Sequence, residues 1–336
     1  MKPIHVISTV RFDDEQLARL RSVSPQLQLT QHTAREANDL PPDVWAEAEV
    51  LCTFMTLPEA EQAPRLRWVQ LLSAGAEHAT QHPALSGQVL LTTTSGIHAV
   101  NIGEYVLSLM LAWAHHVPAM LDLQRRAEWP EGRFQLFSPH ELRGGTVGIV
   151  GYGSIGREVG RLARAFGMRV LALQRGDDPS DHGYIIPGVG DPQGRIPARF
   201  YRPHELRAML AECDHVVLAV PLTDATRNLI GADELRAMKP TAFLVNIARG
   251  GVVDETALIQ ALEEGWIGGA GLDVFAQEPL PADSPLWGME NAILTPHIAG
   301  MTPHYHARAA DVFEENLRRY LAGEPLLNQV DWGEGY

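Results

Sequence analysis

At 336 residues the chain is long enough to bury a sizeable core and long for one domain, so two domains are expected. A net charge of −14 with no basic block to offset it excludes a nucleic-acid or anionic-membrane surface, and no apolar run reaches the roughly 20 residues that span a bilayer. The two cysteines, Cys52 and Cys213, stand far apart and outside any CxxC spacing, so neither a disulfide framework nor a metal site is expected, and a reducing cytosol fits.

The opening MKPIHVISTV reads as a core strand rather than a signal peptide, because its short apolar run is broken by His5 and Ser8. Short apolar strands then alternate with helical segments: Ile4 to Val10, a helix after Asp13, Gln26 to Thr30, Val50 to Phe54 and Leu66 to Leu72. That rhythm predicts a small parallel α/β domain. Its last strand runs into Ser73-Ala74-Gly75-Ala76, small residues at a carboxyl end where open α/β sheets hold ligands, although a plain loop fits this segment as well. Asn101 to Leu123 reads as one long helix into the second domain, with Asn101 as N-cap and Glu104 completing a capping box. Its Tyr105, Leu109, Trp113 and Val117 suit a core or a subunit interface.

The stretch TVGIVGYGSIG, Thr146 to Gly156, has the form of a strand, a glycine turn and a helix. Gly151 permits the tight turn, Gly153 lets a pyrophosphate approach the backbone, and Gly156 lets the helix lie close to the strand. Ser154 and Ile155 then offer backbone donors to an anion at the helix N-terminus. Ile155, Val159, Leu162, Ala163 and Phe166 fall on one helical face, and Met168 to Leu173 reads as the next buried strand. Gly176 to Pro203 is rich in Gly, Pro and Asp without a period and reads as a long loop; loops beyond ~12 to 15 residues are usually functional or disordered. Strands resume at His215 to Val220, Ala242 to Ile247 and Gly268 to Val274. Thr302 and Pro303 make an N-cap and first-turn pair for a helix to Leu321, stopped by Gly323.

Three segments of the second half gather polar residues at strand ends: VNIARGGVVDE with Arg249, GLDVFAQEPLP with Asp273 and Glu278, and LTPHIAG with His297. Singly, each has a bland explanation as a surface ion pair, a solvated carboxylate or a turn residue. Together, after a dinucleotide turn, they are the groups that reduce a keto acid by hydride transfer. Arginine pairs with a carboxylate in a two-pronged geometry, histidine can donate the proton an alkoxide needs, and a neighbouring carboxylate sets the ring's tautomer.

In this order after GYGSIG, the segments resemble those of the D-isomer-specific 2-hydroxyacid dehydrogenases, with glyoxylate/hydroxypyruvate reductase-like members nearest. SAGAEH, PLTDATRNLI from Pro221, and the helix after His297 extend the resemblance over nearly the whole chain. It implies two doubly wound parallel-sheet α/β domains with a cleft between them: a Rossmann dinucleotide-binding domain, 99–298, and a smaller flavodoxin-like substrate domain, 1–98 and 299–336. It makes Arg249, Glu278 and His297 the catalytic trio, with Arg249 and the backbone at Ser73, Ala74 and Gly75 on the substrate. Beside Gly151, Gly153, Ser154, Ile155 and Gly156, it puts Val220, Pro221, Thr226, Ile247, Asp273 and Gly300 on the cofactor, Asp273 near the nicotinamide carboxamide. Relatives using NAD carry an acidic residue where Gln174 stands here, with Arg175 following, which favours NADP over NAD. Glu278 in place of glutamine argues against the formate dehydrogenase branch, and the extra regulatory domain of longer phosphoglycerate dehydrogenases is expected to be absent. A cytoplasmic homodimeric reductase of small 2-keto acids is the expectation. The alternatives are a dinucleotide-sensing corepressor without catalysis and a dehydrogenase of phosphite, phosphoglycerate or a bulkier D-2-hydroxy acid.

Overall fold

Runs of three to five residues, β-branched or leucine-rich and mostly buried, become the strands of two all-parallel sheets. The computed structural model describes residues 2–83, 85 and 89–333, so residues 1, 84, 86–88 and 334–336 of the expected substrate domain lie outside the described residues. The chain divides into one unit of Met1–Ile97, His182–Tyr184 and Thr302–Tyr336 and another of His98–Asp181 and Ile185–Met301.

In the first unit β1 (Ile4–Ser8), β2 (Leu27–Gln31), β3 (Val50–Thr53), β4 (Trp68–Leu71) and β5 (Leu90–Thr92) lie in the order β2-β1-β3-β4-β5. The first helix, Asp14–Ser22, starts where expected, because Asp13 accepts from Gln16 N at 2.8 Å and Gln16 returns the bond. Helix Tyr305–Ala322 buries Phe313 against Phe12 and Trp68, with ring centroids 6.4 and 5.5 Å apart. It starts later than Thr302 and Pro303 predict: His304 caps it, and Thr302 Oγ1 accepts from His304 N at 3.2 Å in the turn before. Its end is the expected one, with Gly323 left-handed at φ +69°.

The second unit contains β6 (Thr146–Val150), β7 (Arg169–Leu173), β8 (Arg199–Tyr201), β9 (His215–Leu218), β10 (Phe243–Asn246), β11 (Gly269–Leu272) and β12 (Ala292–Leu294), ordered β12-β11-β10-β9-β6-β7-β8. Chain order reverses between β6 and β9, the place where such sheets bind ligands beyond their carboxyl ends. Helix Ala99–Ala114 packs on helix Ser154–Ala165, closely enough that a Cβ on Gly103 would lie 2.8 Å from Glu158 Cγ.

The structure corrects four expectations in this unit. The single helix from Asn101 is two, Ala99–Ala114 and Val117–Arg126, bent by 65° where His116 turns left-handed at φ +54°. Asn101 lies inside the first of them, because its Nδ2 donates to Ala299 O at 2.7 Å, a tertiary bond that outcompetes the local capping box. Phe166 caps its helix and is exposed rather than part of the core face. The segment 176–203 contains β8, a three-residue edge strand too short to show alternation.

The rest of that segment is tied down by buried polar groups. Asp191 accepts from Tyr152 Oη at 3.0 Å and from the amides of Arg195 and Ile196 at 2.9 and 2.8 Å. Its carbonyl accepts from Arg157 Nη1 at 2.7 Å, and Glu158 accepts from Gly190 N at 2.7 Å. Tyr152 belongs to the glycine turn itself, so the loop 185–196 is fastened to that turn. Residues His182–Tyr184 belong instead to the first unit, where Tyr184 N donates to Asn328 Oδ1 at 3.0 Å. Among the described residues no single helix is long and apolar enough to cross a membrane.

Candidate active site

The glycine turn has the shape its spacing predicts. A Cβ at Gly151, φ +96°, would lie 2.6 Å from Ala219 O, and one at Gly156 would lie 2.2 Å from Gly151 O. At Gly153 a Cβ would meet nothing within 4 Å. Packing therefore requires two of the glycines, and the third leaves open space before the N-terminus of helix Ser154–Ala165, where no side chain caps Gly153. First-turn amides and the helix dipole make that space suited to a pyrophosphate. Beside it Val220 Cγ1 would stand 2.8 Å from the same Gly151 Cβ. Thr226 Oγ1 donates to Pro221 O at 2.6 Å and accepts from Thr223 N at 2.8 Å, closing the turn beyond β9. Ile247 is buried just after β10. Beyond β7, Gln174 Nε2 donates to the carbonyls of Gly176 and Asp178 at 2.9 and 3.1 Å, and Arg175 is exposed.

Arg249, Glu278 and His297 follow the carboxyl ends of three adjacent strands, β10, β11 and β12. Asn246, the last residue of β10 and 1% exposed, donates from Nδ2 to Arg249 O at 3.2 Å and accepts from Ala248 N at 3.1 Å. Arg249 Nη1 donates to Ala248 O at 2.8 Å. The next residue packs backbone on backbone: a Cβ at Gly250 would fall 1.9 Å from the carbonyl carbon of Phe275 and 2.4 Å from Ala276 N. The arginine turn is thus pressed against the turn that carries the glutamate. There Glu278 Oε1 accepts from Phe275 N at 3.0 Å, and Oε2 lies 2.7 Å from His297 Nδ1. A carboxylate at Nδ1 favours the tautomer that carries its proton there, which leaves Nε2 without one in the neutral ring.

His297 stands at φ +52°, held there by its N–H donating to Asp273 O at 2.9 Å. Asp273 is 1% exposed and both its carboxylate oxygens are engaged. Oδ1 accepts from Thr295 Oγ1 at 2.8 Å, Ile298 N at 3.0 Å and Tyr105 Oη at 3.4 Å, and Oδ2 accepts from Ala299 N at 2.9 Å. Its carboxylate fastens the histidine turn. Gly300 O accepts from His98 Nδ1 at 3.2 Å and anchors the same turn.

In the first unit the turn beyond β4 is closed by Ser73 Oγ donating to Gly75 O at 2.7 Å, and Ser73 O accepts from Thr94 N at 3.0 Å. Among the described residues none accepts from the amides of Ser73, Ala74 or Gly75. Sequence reasoning missed Asn246 and Thr295. The one signal either carried was a polar residue at the edge of a buried run.

Residues 107–299 match the family of the D-isomer specific 2-hydroxyacid dehydrogenase, NAD binding domain. A glyoxylate reductase of Korarchaeum cryptofilum is 38% identical over 81% of this chain and 78% of its own. The fold is similar to a D-isomer specific 2-hydroxyacid dehydrogenase from Xanthobacter autotrophicus Py2 in complex with NADPH and MES, at TM-score 0.79 and 30% identity over 100% of both chains. It is also similar to an NADPH-dependent glyoxylate/hydroxypyruvate reductase from Sinorhizobium meliloti in complex with NADP and sulfate, at TM-score 0.75 and 27% identity over 99% of this chain and 100% of that one. More than half the chain lies within the cofactor domain of one family, and the chain belongs to it: the D-isomer specific 2-hydroxyacid dehydrogenases, NAD(P)-dependent oxidoreductases.

Proposed function

We propose that the chain reduces small 2-keto acids of the glyoxylate and hydroxypyruvate kind to D-2-hydroxy acids, with NADPH preferred over NADH. The observation that carries this reading is the 2.7 Å bond between His297 Nδ1 and Glu278 at the end of the dinucleotide sheet. Reduced nicotinamide, when bound, would supply a hydride to the keto carbon. His297 Nε2 gives its proton to the carbonyl oxygen as charge develops there, while Glu278 holds the ring and its charge from the other side. Arg249 polarises the keto oxygen and pairs with the carboxylate through its fork. The open amides of Ser73, Ala74 and Gly75 take the substrate carboxylate. Gly151, Gly153, Ser154, Ile155 and Gly156 hold the pyrophosphate, and Val220, Pro221, Thr226, Ile247 and Gly300 line the cofactor. Asp273 acts on the nicotinamide end through the amides of Ile298 and Ala299 that it holds.

The coenzyme preference rests on Gln174 and Arg175. A neutral side chain at 174 removes the repulsion an acid would exert on a 2′-phosphate, and Arg175 supplies a guanidinium for it. The two structural neighbours hold NADPH and NADP. A homodimer is supported by an exposed apolar run, Val117, Met120, Leu121, Trp129, Phe134 and Leu136, in which Trp129 is 83% and Phe134 78% exposed. Two free, buried cysteines suit a cytoplasmic setting.

Steady-state rates with a panel of keto acids, both coenzymes and His297→Asn test the reading. The parent is expected to turn over glyoxylate or hydroxypyruvate, and the variant to bind NADPH but lose ~10² to 10⁴ in turnover. Parent-like rates in the variant would overturn the assignment of His297. NADPH binding without turnover of any keto acid in the parent would replace the enzyme with a dinucleotide sensor.

A further inference from the structure

The turn that follows β7 is held from the neighbouring strand. β7 and β8 run parallel, and their ladder continues one step further where Gln174 N donates to Tyr201 O at 3.1 Å. Arg202, the residue after β8, is itself fixed by its N–H donating to Glu205 Oε2 at 2.9 Å, and Glu205 pairs with Arg199 at 2.8 Å. The Arg202 guanidinium crosses to the other strand's turn. There it donates to Arg175 O at 3.4 Å, to Gly176 O and to the carboxylate of Asp177. Gln174 Nε2 closes the same turn from within through Gly176 O and Asp178 O.

These bonds do two things to the ground on which a 2′-phosphate would rest. They fix the backbone on either side of Arg175. They also give Asp177, whose side chain is 99% exposed, a counter-ion of its own. Without that partner a full negative charge would stand two residues from Arg175 and oppose a phosphate monoester that carries roughly −1.5 to −2 near neutral pH.

We propose that Arg202 is a specificity-determining residue for the coenzyme: from β8 it neutralises Asp177 and clamps the Arg175 turn, so that the 2′-phosphate of NADPH is accepted. The inference rests on the reading above that the turn beyond β7 receives the adenosine end of the cofactor. Arg202 touches the turn and acts through it, so the readout is a ratio of affinities, which a general loss of structure would not move.

Dissociation constants for NADPH and NADH, measured by nicotinamide fluorescence on the full chain, supply the test. Arg202→Ala is expected to weaken NADPH roughly threefold to fivefold relative to NADH, the range of an exposed charge pair. Adding Asp177→Asn to that variant is expected to restore most of the ratio, because the unmasked carboxylate is gone. Equal weakening of both coenzymes by Arg202→Ala, or no recovery in the double variant, would overturn the proposal. Arg175→Ala separates the two levels. If it loses NADPH selectively while Arg202→Ala does not, the cofactor reading stands and the role of Arg202 falls. If the parent binds both coenzymes equally and Arg175→Ala is unselective, the cofactor reading fails and Arg202 with it.

Discussion

At the β10 to β12 edge of the larger sheet, the side chains proposed to react are open while their supports are not: His297 and Glu278 are 47% and 35% exposed, whereas Asn246 and Asp273 are buried. At the β7 and β8 edge the order is different, since Gln174 and Arg202 hold a turn that is itself exposed. Leaving a buried polar group without its partner is costly, so the bonds of Asn246 and Asp273 favour one geometry for the turns they pin. Solvated bonds are individually weaker, so the turn beyond β7 is held by several of them together rather than by burial. Hydride and proton transfer need reacting atoms positioned to within fractions of an ångström, whereas a phosphate needs charge of the right sign nearby. The roles proposed for the two edges follow that division.

The contrast is broken most severely at Asp273. Asp273→Ala leaves the amides of Ile298 and Ala299 without their acceptor and removes the shorter of two bonds from the Thr295 hydroxyl, and is expected to lower turnover by about 10²-fold or more through misplacement of His297. Wild-type turnover in that variant would show that the histidine turn keeps its geometry without the buried carboxylate.

A stability effect of similar size comes from the opposite end of the sheet, at His215 on the first position of β9. Burial pushes its imidazole down to about 4, with Asp214 opposing that shift and His140 adding to it. An unfolded histidine titrates near 6.5, so the unfolded chain binds the extra proton between these values and stability rises with pH across that window. His215 thus costs nothing above about pH 6.5, and as pH falls to about 4 it removes up to about 3 kcal/mol. Unfolding titrations at pH 7 and pH 4.5 should show a smaller acid loss in His215→Gln than in the parent. An equal loss in both would place the acid sensitivity elsewhere.

Gly250→Ala sharpens the comparison, because the new Cβ falls on the Phe275–Ala276 peptide and drives the arginine and glutamate turns apart. Overpacking of this kind costs about 1 to 3 kcal/mol, so a melting point lower by a few degrees and roughly tenfold lower kcat/KM are expected. A change in melting point alone would mean that the two turns adjust independently. The smallest effect is expected at the exposed edge: Gln174→Ala removes two solvated bonds and should shift the NADPH to NADH ratio by no more than about threefold, with turnover unchanged. A large loss of turnover there would erase the distinction between the edges.

The glycine turn, its helix and the two parallel sheets were legible in the sequence because spacing and buried runs are local properties. The edge strands β5, β8 and β12, three residues each, are too short to carry a period. The break at His116 was hidden because apolar residues continue on either side of it. Asn101 misled for the opposite reason. Its spacing to Glu104 has the local form of a cap, but Ala299, 198 positions away, takes its side chain. The resemblance singled out Arg249, Glu278 and His297 because they recur in fixed segments, whereas Asn246 and Arg202 work through bonds to backbone, and Thr295 through one to the Asp273 carboxylate, that no spacing reveals.

The left-handed backbone of His297 limits what that position can become. Histidine, asparagine and aspartate visit this region several-fold more often than other side chains, glycine visits it freely, and β-branched residues almost never do. Asparagine or glycine at 297 would therefore keep the turn and, on the role proposed for His297, remove the acid, leaving a protein that folds and binds coenzyme with little turnover. Valine or isoleucine would disturb the turn first, and with it Ile298, Ala299 and Gly300. Sequence drift at this residue thus has an easy exit toward a silent dinucleotide binder and a hard one toward a different catalyst.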